Sequence, residues 1–251
     1  MTEFYYLFNV VLFSRLMFTF RDEPITLRQT GVIVFLQLLG TLMFEMNLLF
    51  ALLVFMMLAL NGLVFLLEKK IEWVNIVRVA SLIGFIVVFS LVFAPRNRLN
   101  FNPHLLAHLE SWADISLIID FLSALDWRSL NPILTGAFFV TNETNIFIRL
   151  IFQTFTLTPA HEESAGQTIT TVVDKQEYNA GRIIGLLERL LIYYFVLNNQ
   201  LVAIGFIVAV KSFARKDLKS REFAEYVLIG TLLSTLTAVF IANLVQLALR
   251  H

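Results

Sequence analysis

Residues 31–67, GVIVFLQLLGTLMFEMNLLFALLVFMMLALNGLVFLL, form a nearly unbroken apolar run in which Glu45 is the only charge. As one helix the run would extend roughly 55 Å at about 1.5 Å per residue, against a hydrocarbon core of about 30 Å. It must therefore turn, and Glu45 with Asn47 marks the polar tip between two membrane passes. The remainder is of the same kind: 58% of the 251 residues are hydrophobic and 15% are charged. This lies outside the composition of a soluble globular domain. The expected fold class is an all-α polytopic transmembrane helical bundle of about six to eight passes, including short helical hairpins.

Five stretches follow from composition along the chain. Residues 1–93 read as amino-terminal transmembrane helices. Phe4 to Phe20 is a first short crossing interrupted by Arg15, Glu68 with Lys69 and Lys70 closes the apolar run, and Ile71 to Phe93 crosses again with Glu72 and Arg78 near its start. The first segment carries Glu3 in place of a basic leader, so it reads as part of the mature protein and not as a cleaved signal. Pro95 and Pro103 break the helix that follows. In 94–129, Leu105, Leu109, Ile118 and Leu122 mix with Glu110, Asp114, Asp120 and Asp126, an amphipathic pattern suited to the membrane surface or a partner. Residues 130–157 form a polar-centred transmembrane segment around TNETN. Residues 158–180 form a polar loop in which QTITTVV has the β-branched content of a strand, with Asn179 placed to cap a helix beginning near Gly181. Residues 181–251 form a carboxy-terminal three-helix unit, broken at Asn198, Asn199 and Gln200.

That last unit holds the candidate site. Arg182, Glu188, Arg189, Lys211 and Glu225 stand on apolar segments, where ionised groups need partners or a function. Small residues recur four apart, as Gly181 and Gly185, Gly205 and Ala209, and Gly230 and Ser234, a spacing that lets helices approach closely. Glu188 lies on the same helical face as Gly181, about 10 Å along the axis, so it is expected to point inward and to pair with Lys211 or Arg189. Three roles stay open for it: a structural ion pair, a proton or ion relay, or a site facing a headgroup or partner. Arg215, Lys216, Lys219 and Arg221 follow Lys211 with only Asp217 and Glu222 opposing them. The positive-inside rule places 211–222 in the cytoplasm, where these cations anchor to anionic headgroups.

The succession Gly181, Arg182, Gly185, Glu188, Arg189, then Gly205, Phe206, Ala209, Lys211, Ser212, then Glu225, Tyr226, Leu228, Ile229, Gly230, Thr231, Leu232 resembles the carboxy-terminal part of a family of uncharacterised bacterial polytopic inner-membrane proteins. The resemblance implies a multi-pass protein of the bacterial inner membrane and transfers no activity.

Several chemistries are closed. The chain has no cysteine, hence no disulfide, thiolate nucleophile or cysteine-bound metal. Lys plus Arg and Asp plus Glu each total 19, which gives no argument for a nucleic-acid partner. No phosphate loop, HExxH motif or nucleophile elbow occurs. His104 and His108 share a helical face, yet two imidazoles do not complete a metal shell, so neither metal nor cofactor is expected. The functional expectation is a non-enzymatic integral membrane subunit or scaffold that assembles into a homo-oligomer or with other membrane-complex subunits, with lipids as its other partners. An alternative is a channel or transporter lined by Glu188, Arg189, Lys211 and the polar breaks at Glu45, Asn142 and Asn198. A lipid-modifying membrane enzyme is a lesser alternative.

Overall fold

The computed structural model describes residues 2–19, 21, 23–94, 99–105, 107–108, 125–155, 175–214 and 221–250, with the side chains of 175–180, 212, 214 and 221–227 outside the description. Among the described residues every regular element is helical. In chain order these are α1 (Thr2–Arg15) with a 3₁₀ turn (Leu16–Phe18), α2 (Leu27–Thr41), α3 (Leu48–Glu68), α4 (Val74–Val92), α5 (Trp127–Phe138), a π turn (Phe139–Glu143), α6 (Thr144–Thr154), α7 (Lys175–Leu197), α8 (Leu201–Ala214) and α9 (Arg221–Leu249). They divide into two compact units, Met1–Phe138 and Phe139–His251.

In the first unit α1 packs against α2, α4 and α5, and α3 packs against α2 and α4. The apolar run turns where its polar residues foretell, and Asn47 caps α3 by accepting a hydrogen bond from the Phe50 amide at 2.9 Å. At that end, the chain after α4 comes back to the α2–α3 connection. Asn102 donates its amide to the Met43 carbonyl at 2.9 Å, and Glu45 donates its own to Asn100 at 3.1 Å. Phe44 stacks on Phe101 there with ring centroids 5.0 Å apart, and Phe4, Phe89 and Phe93 extend the aromatic cluster. The start of α1, the end of α2, the start of α3 and the end of α4 thus share one side, so the four helices alternate in direction. The helices α1 and α2 approach closely at Gly40, where an added Cβ would lie 2.5 Å from a Val10 methyl. Sequence spacing did not single this glycine out.

The second unit joins the π turn and α6 to α7 and α9, with α8 packed on α7. Its core includes Ile192, Tyr193 and Val196 from α7 and Ala238, Ala242 and Val245 from α9. The expected break at Asn198–Gln200 is a tight helix ending. The Gln200 amide donates to Phe195 at 2.8 Å and the Asn199 amide to Val196 at 3.0 Å, while Asn199 takes φ 58. These two crossed bonds around a left-handed residue satisfy carbonyls that the last turn would leave bare. Gln246 on α9 reaches the same end, donating to the Val196 carbonyl at 2.9 Å.

Among the described residues, three helices are long and apolar enough to cross a membrane: Leu48–Glu68, Val74–Val92 and Leu228–Leu249, with mean hydropathies of 2.6, 2.2 and 2.0. Their outward faces are greasy. On α9, Leu228, Leu232, Leu236, Phe240 and Leu244 repeat every four residues and are exposed, a stripe that water would not tolerate and lipid would. These properties associate the chain with a membrane. Other expected crossings take shorter or interrupted forms. The Phe4–Phe20 segment is a 14-residue α-helix followed by a 3₁₀ turn, the helix alone rising about 21 Å. The polar-centred segment is two helices on either side of the π turn. The helix expected to begin near Gly181 begins at Lys175, so Asn179 lies inside it and does not cap it. Most of the amphipathic 94–129 stretch and of the 158–180 loop, including QTITTVV, lies outside the described residues.

Candidate functional site

The sequence-nominated charges come together in part. Glu188 on α7 and Lys211 on α8 form a direct ion pair, one of the two pairings the sequence suggests. The break at Asn198–Gln200 makes this contact: it folds α8 back along α7 so that residues 23 apart in sequence meet. A recess beside the pair is lined by Ile192, Ile207 and Val208 and by three residues of α9, Thr231, Ser234 and Thr235. Arg189 turns into the unit at 6% exposure, near the charges of Glu188 and of Arg149 on α6. Its Nε has no hydrogen-bond partner. Arg182 stands on α7 at intermediate exposure, and the Glu225 side chain lies outside the described residues.

The small residues are placed unevenly. Gly230 is tightly packed, with Phe152 only 3.2 Å from an added Cβ, and Ser234 is buried. Gly181, Gly185 and Gly205 have nothing within 4 Å of that position, and Ala209 is exposed, so these four set no close helix approach among the described residues. Of the three pairs, Gly230 and Ser234 are the one placed in a packed contact among the described residues. Arg215, Lys216 and Lys219 lie outside the described residues, as does the side chain of Arg221. His104 and His108 are exposed, and among the described residues no group of three or more His, Cys, Asp or Glu is arranged to hold a metal.

Among the described residues the most deeply buried charges are in the first unit, where the sequence marks Arg15, Glu68 and Arg78 but not their pairing. Glu68, the last residue of α3, and Arg78, in the second turn of α4, pair with no side-chain exposure at either partner. Arg78 Nε donates to Glu68 Oε1 at 2.9 Å and a terminal nitrogen donates to Oε2 at 3.3 Å, a two-pronged geometry suited to a guanidinium and a carboxylate. The remaining capacity of both groups goes to the α1–α2 connection. Arg78 donates to the carbonyls of Arg21 at 2.8 Å and Glu23 at 3.0 Å, and Glu68 accepts the Ile25 amide at 2.8 Å. Arg15, 2% exposed, adds a second layer by donating to Ser81 Oγ at 2.8 Å and to the Arg78 carbonyl at 2.9 Å. Phe18 lies beneath both guanidinium groups, 4.7 Å from that of Arg78. The result is a clamp that fastens the α1–α2 and α3–α4 connections together.

Deeper in the unit, a chain of neutral polar groups crosses three helices. Asn61 donates to Gln37 at 2.7 Å, and Gln37 donates to Ser14 at 2.9 Å. Asn9 donates to Asn131 Oδ1 at 3.3 Å and accepts from Thr135 at 2.7 Å, tying α1 to α5. In the second unit the π turn buries Asn142, Glu143 and Thr144, with Asn142 donating to Glu143 at 2.9 Å. The bonds in the first unit hold its helices in register, as hydrogen bonds between apolar helices do.

No family model, curated protein or solved structure matches the chain.

Proposed function

We propose that the chain is a multi-pass, non-enzymatic subunit of the bacterial inner membrane that assembles with copies of itself or with other membrane proteins. The observation that carries this reading is the surface of α8. Val202, Phe206, Val210 and Phe213 are exposed beside Gly205, which has open space at its Cβ position. A face combining large apolar side chains with a notch where a backbone can approach suits another helix better than lipid chains alone. Buried charges support the same reading, because Glu68 and Arg78 are consumed by each other and by backbone, as in a structural clamp.

The topology in this proposal has about eight passes, built from α1 to α4, the α5–α6 segment, α7, α8 and α9. The basic connection 211–222 and Lys69–Lys70 then lie in the cytoplasm and both termini outside. The absence of cysteine makes the test direct, since Gly205→Cys supplies the sole thiol. Oxidation in native membranes is expected to give a cross-linked product through this position, and no product from Gly205→Cys or Ala209→Cys would contradict the α8 interface.

A channel or transporter is the second reading, favoured by the buried π turn at Asn142–Glu143, since a broken segment carrying polar groups often surrounds a transported solute. Flux through purified protein in liposomes separates it from the first: an assembly subunit shows none.

A further inference from the structure

The two ion pairs differ in what surrounds them. Glu68 and Arg78 have no exposed side-chain surface, whereas Lys211 keeps 15% and Glu188 keeps 17%. The second pair also borders a recess, and α9 turns toward it Thr231, Ser234 and Thr235. Positions 231, 234 and 235 follow the i, i+3, i+4 rule, so three hydroxyls share one helical face. Ile192, Ile207 and Val208 make the rest of the wall apolar. The Lys211 ammonium is held by the Glu188 carboxylate at a recess that three hydroxyl-bearing residues line, a setting that suits a hard cation.

We propose that this recess is a monovalent-cation site, best fitted by sodium, in which Glu188 and the hydroxyls of Thr231, Ser234 and Thr235 supply the oxygen ligands and the Lys211 ammonium is a tethered competitor. Charge selects the class of ion. One carboxylate neutralises one positive charge, while a divalent ion would leave a net charge in an apolar wall, beside the buried cation Arg189. Size agrees, because the recess has room for about one water-sized body and sodium stripped of its hydration shell is of that order. Two carboxylate oxygens and three hydroxyls give up to about five ligands, the kind of oxygen shell that hard cations take.

Lys211 has somewhere to go. It lies in the last turn of α8, which ends at Ala214, so its four-carbon stem can carry the ammonium toward the interface while the ion takes its place. Lys211 and sodium then alternate at Glu188, and the carboxylate remains paired in either state. The bound ion would tie α7 to α9, where Lys211 ties α7 to α8.

The test uses the full chain purified in detergent. Thermal unfolding is followed in sodium, potassium, lithium and choline chloride at constant ionic strength, and retention of radioactive sodium is measured on the same samples. The wild type is expected to show a saturable rise in midpoint with sodium. Lys211→Gln removes the competitor and should lower the half-saturating sodium concentration on the order of tenfold. Glu188→Gln should abolish the effect. If Lys211→Gln fails to fold, Ser234→Ala and Thr235→Val in the otherwise natural chain carry the test, each raising the half-saturating concentration several-fold. Equal midpoints in sodium and choline with no retained sodium would overturn the proposal, as would sodium retention undiminished by Glu188→Gln.

Discussion

Glu68 stands at the negative end of α3, where a lone carboxylate would be repelled by the last carbonyls of its own helix. Arg78 reverses that penalty, and each partner spends its remaining hydrogen-bonding capacity on the 21–25 backbone. Removing either one leaves a buried charge uncompensated. Glu68→Ala and Arg78→Ala are therefore each expected to lower stability by about 3–5 kcal/mol, read as a fall in the denaturation midpoint in detergent. In a double-mutant cycle the combined loss should be clearly smaller than the sum of the two. Additive losses would show that the pair is not coupled. The three charges of this clamp were legible as interruptions: Arg15 within a first apolar segment, Glu68 and Arg78 flanking a turn. Their pairing was not legible, because it depends on how α1–α2 and α3–α4 dock, which no local spacing encodes. The Glu188–Lys211 pair was legible for the opposite reason. A visible break folds the next cation back toward Glu188, although the glycine face from which its inward phase is argued is open.

Among the helices, two glycines make opposite demands. Gly40 lies against Val10, so Gly40→Ala overpacks the α1–α2 contact and is expected to destabilise by about 1–3 kcal/mol. Gly205 has open space, so Gly205→Ala is expected to leave the folded chain unchanged or stabilise it by up to about 1 kcal/mol through helix propensity. Thermal unfolding of the two variants checks both signs. The spacing of small residues found the α9 contact at Gly230 but not Gly40, because Gly40 lacks a small neighbour four residues away and gains its role only from α1. At the start of α5, outside the long apolar helices, Asp126 accepts the Arg128 amide at 3.1 Å. The Ser129 hydroxyl, then the nearby amides and the Arg128 charge, hold the Asp126 carboxyl below its ordinary value of 3.8. A lowered carboxyl contributes stability above its unfolded value and loses it as pH falls through the folded one. Asp126→Ala should therefore unfold more readily than wild type near neutral pH, and the difference should vanish in acid. A difference independent of pH would remove the carboxylate from the account.

For the whole molecule, apolar patterning made the helical, membrane-associated class plain, since a run such as 31–67 has no soluble alternative. The same patterning did not show where a π turn or a 3₁₀ turn divides an apolar stretch. What the folded chain does then rests on two kinds of surface: charged groups turned inward and satisfied, and apolar helix faces left open. An assembly subunit accounts for both. Native mass spectrometry of the protein released from lipid nanodiscs bears on this most directly. The account predicts a mass corresponding to a closed homo-oligomer or to a stoichiometric complex with another membrane chain; a single 28.8 kDa chain at every detergent-to-protein ratio would contradict it.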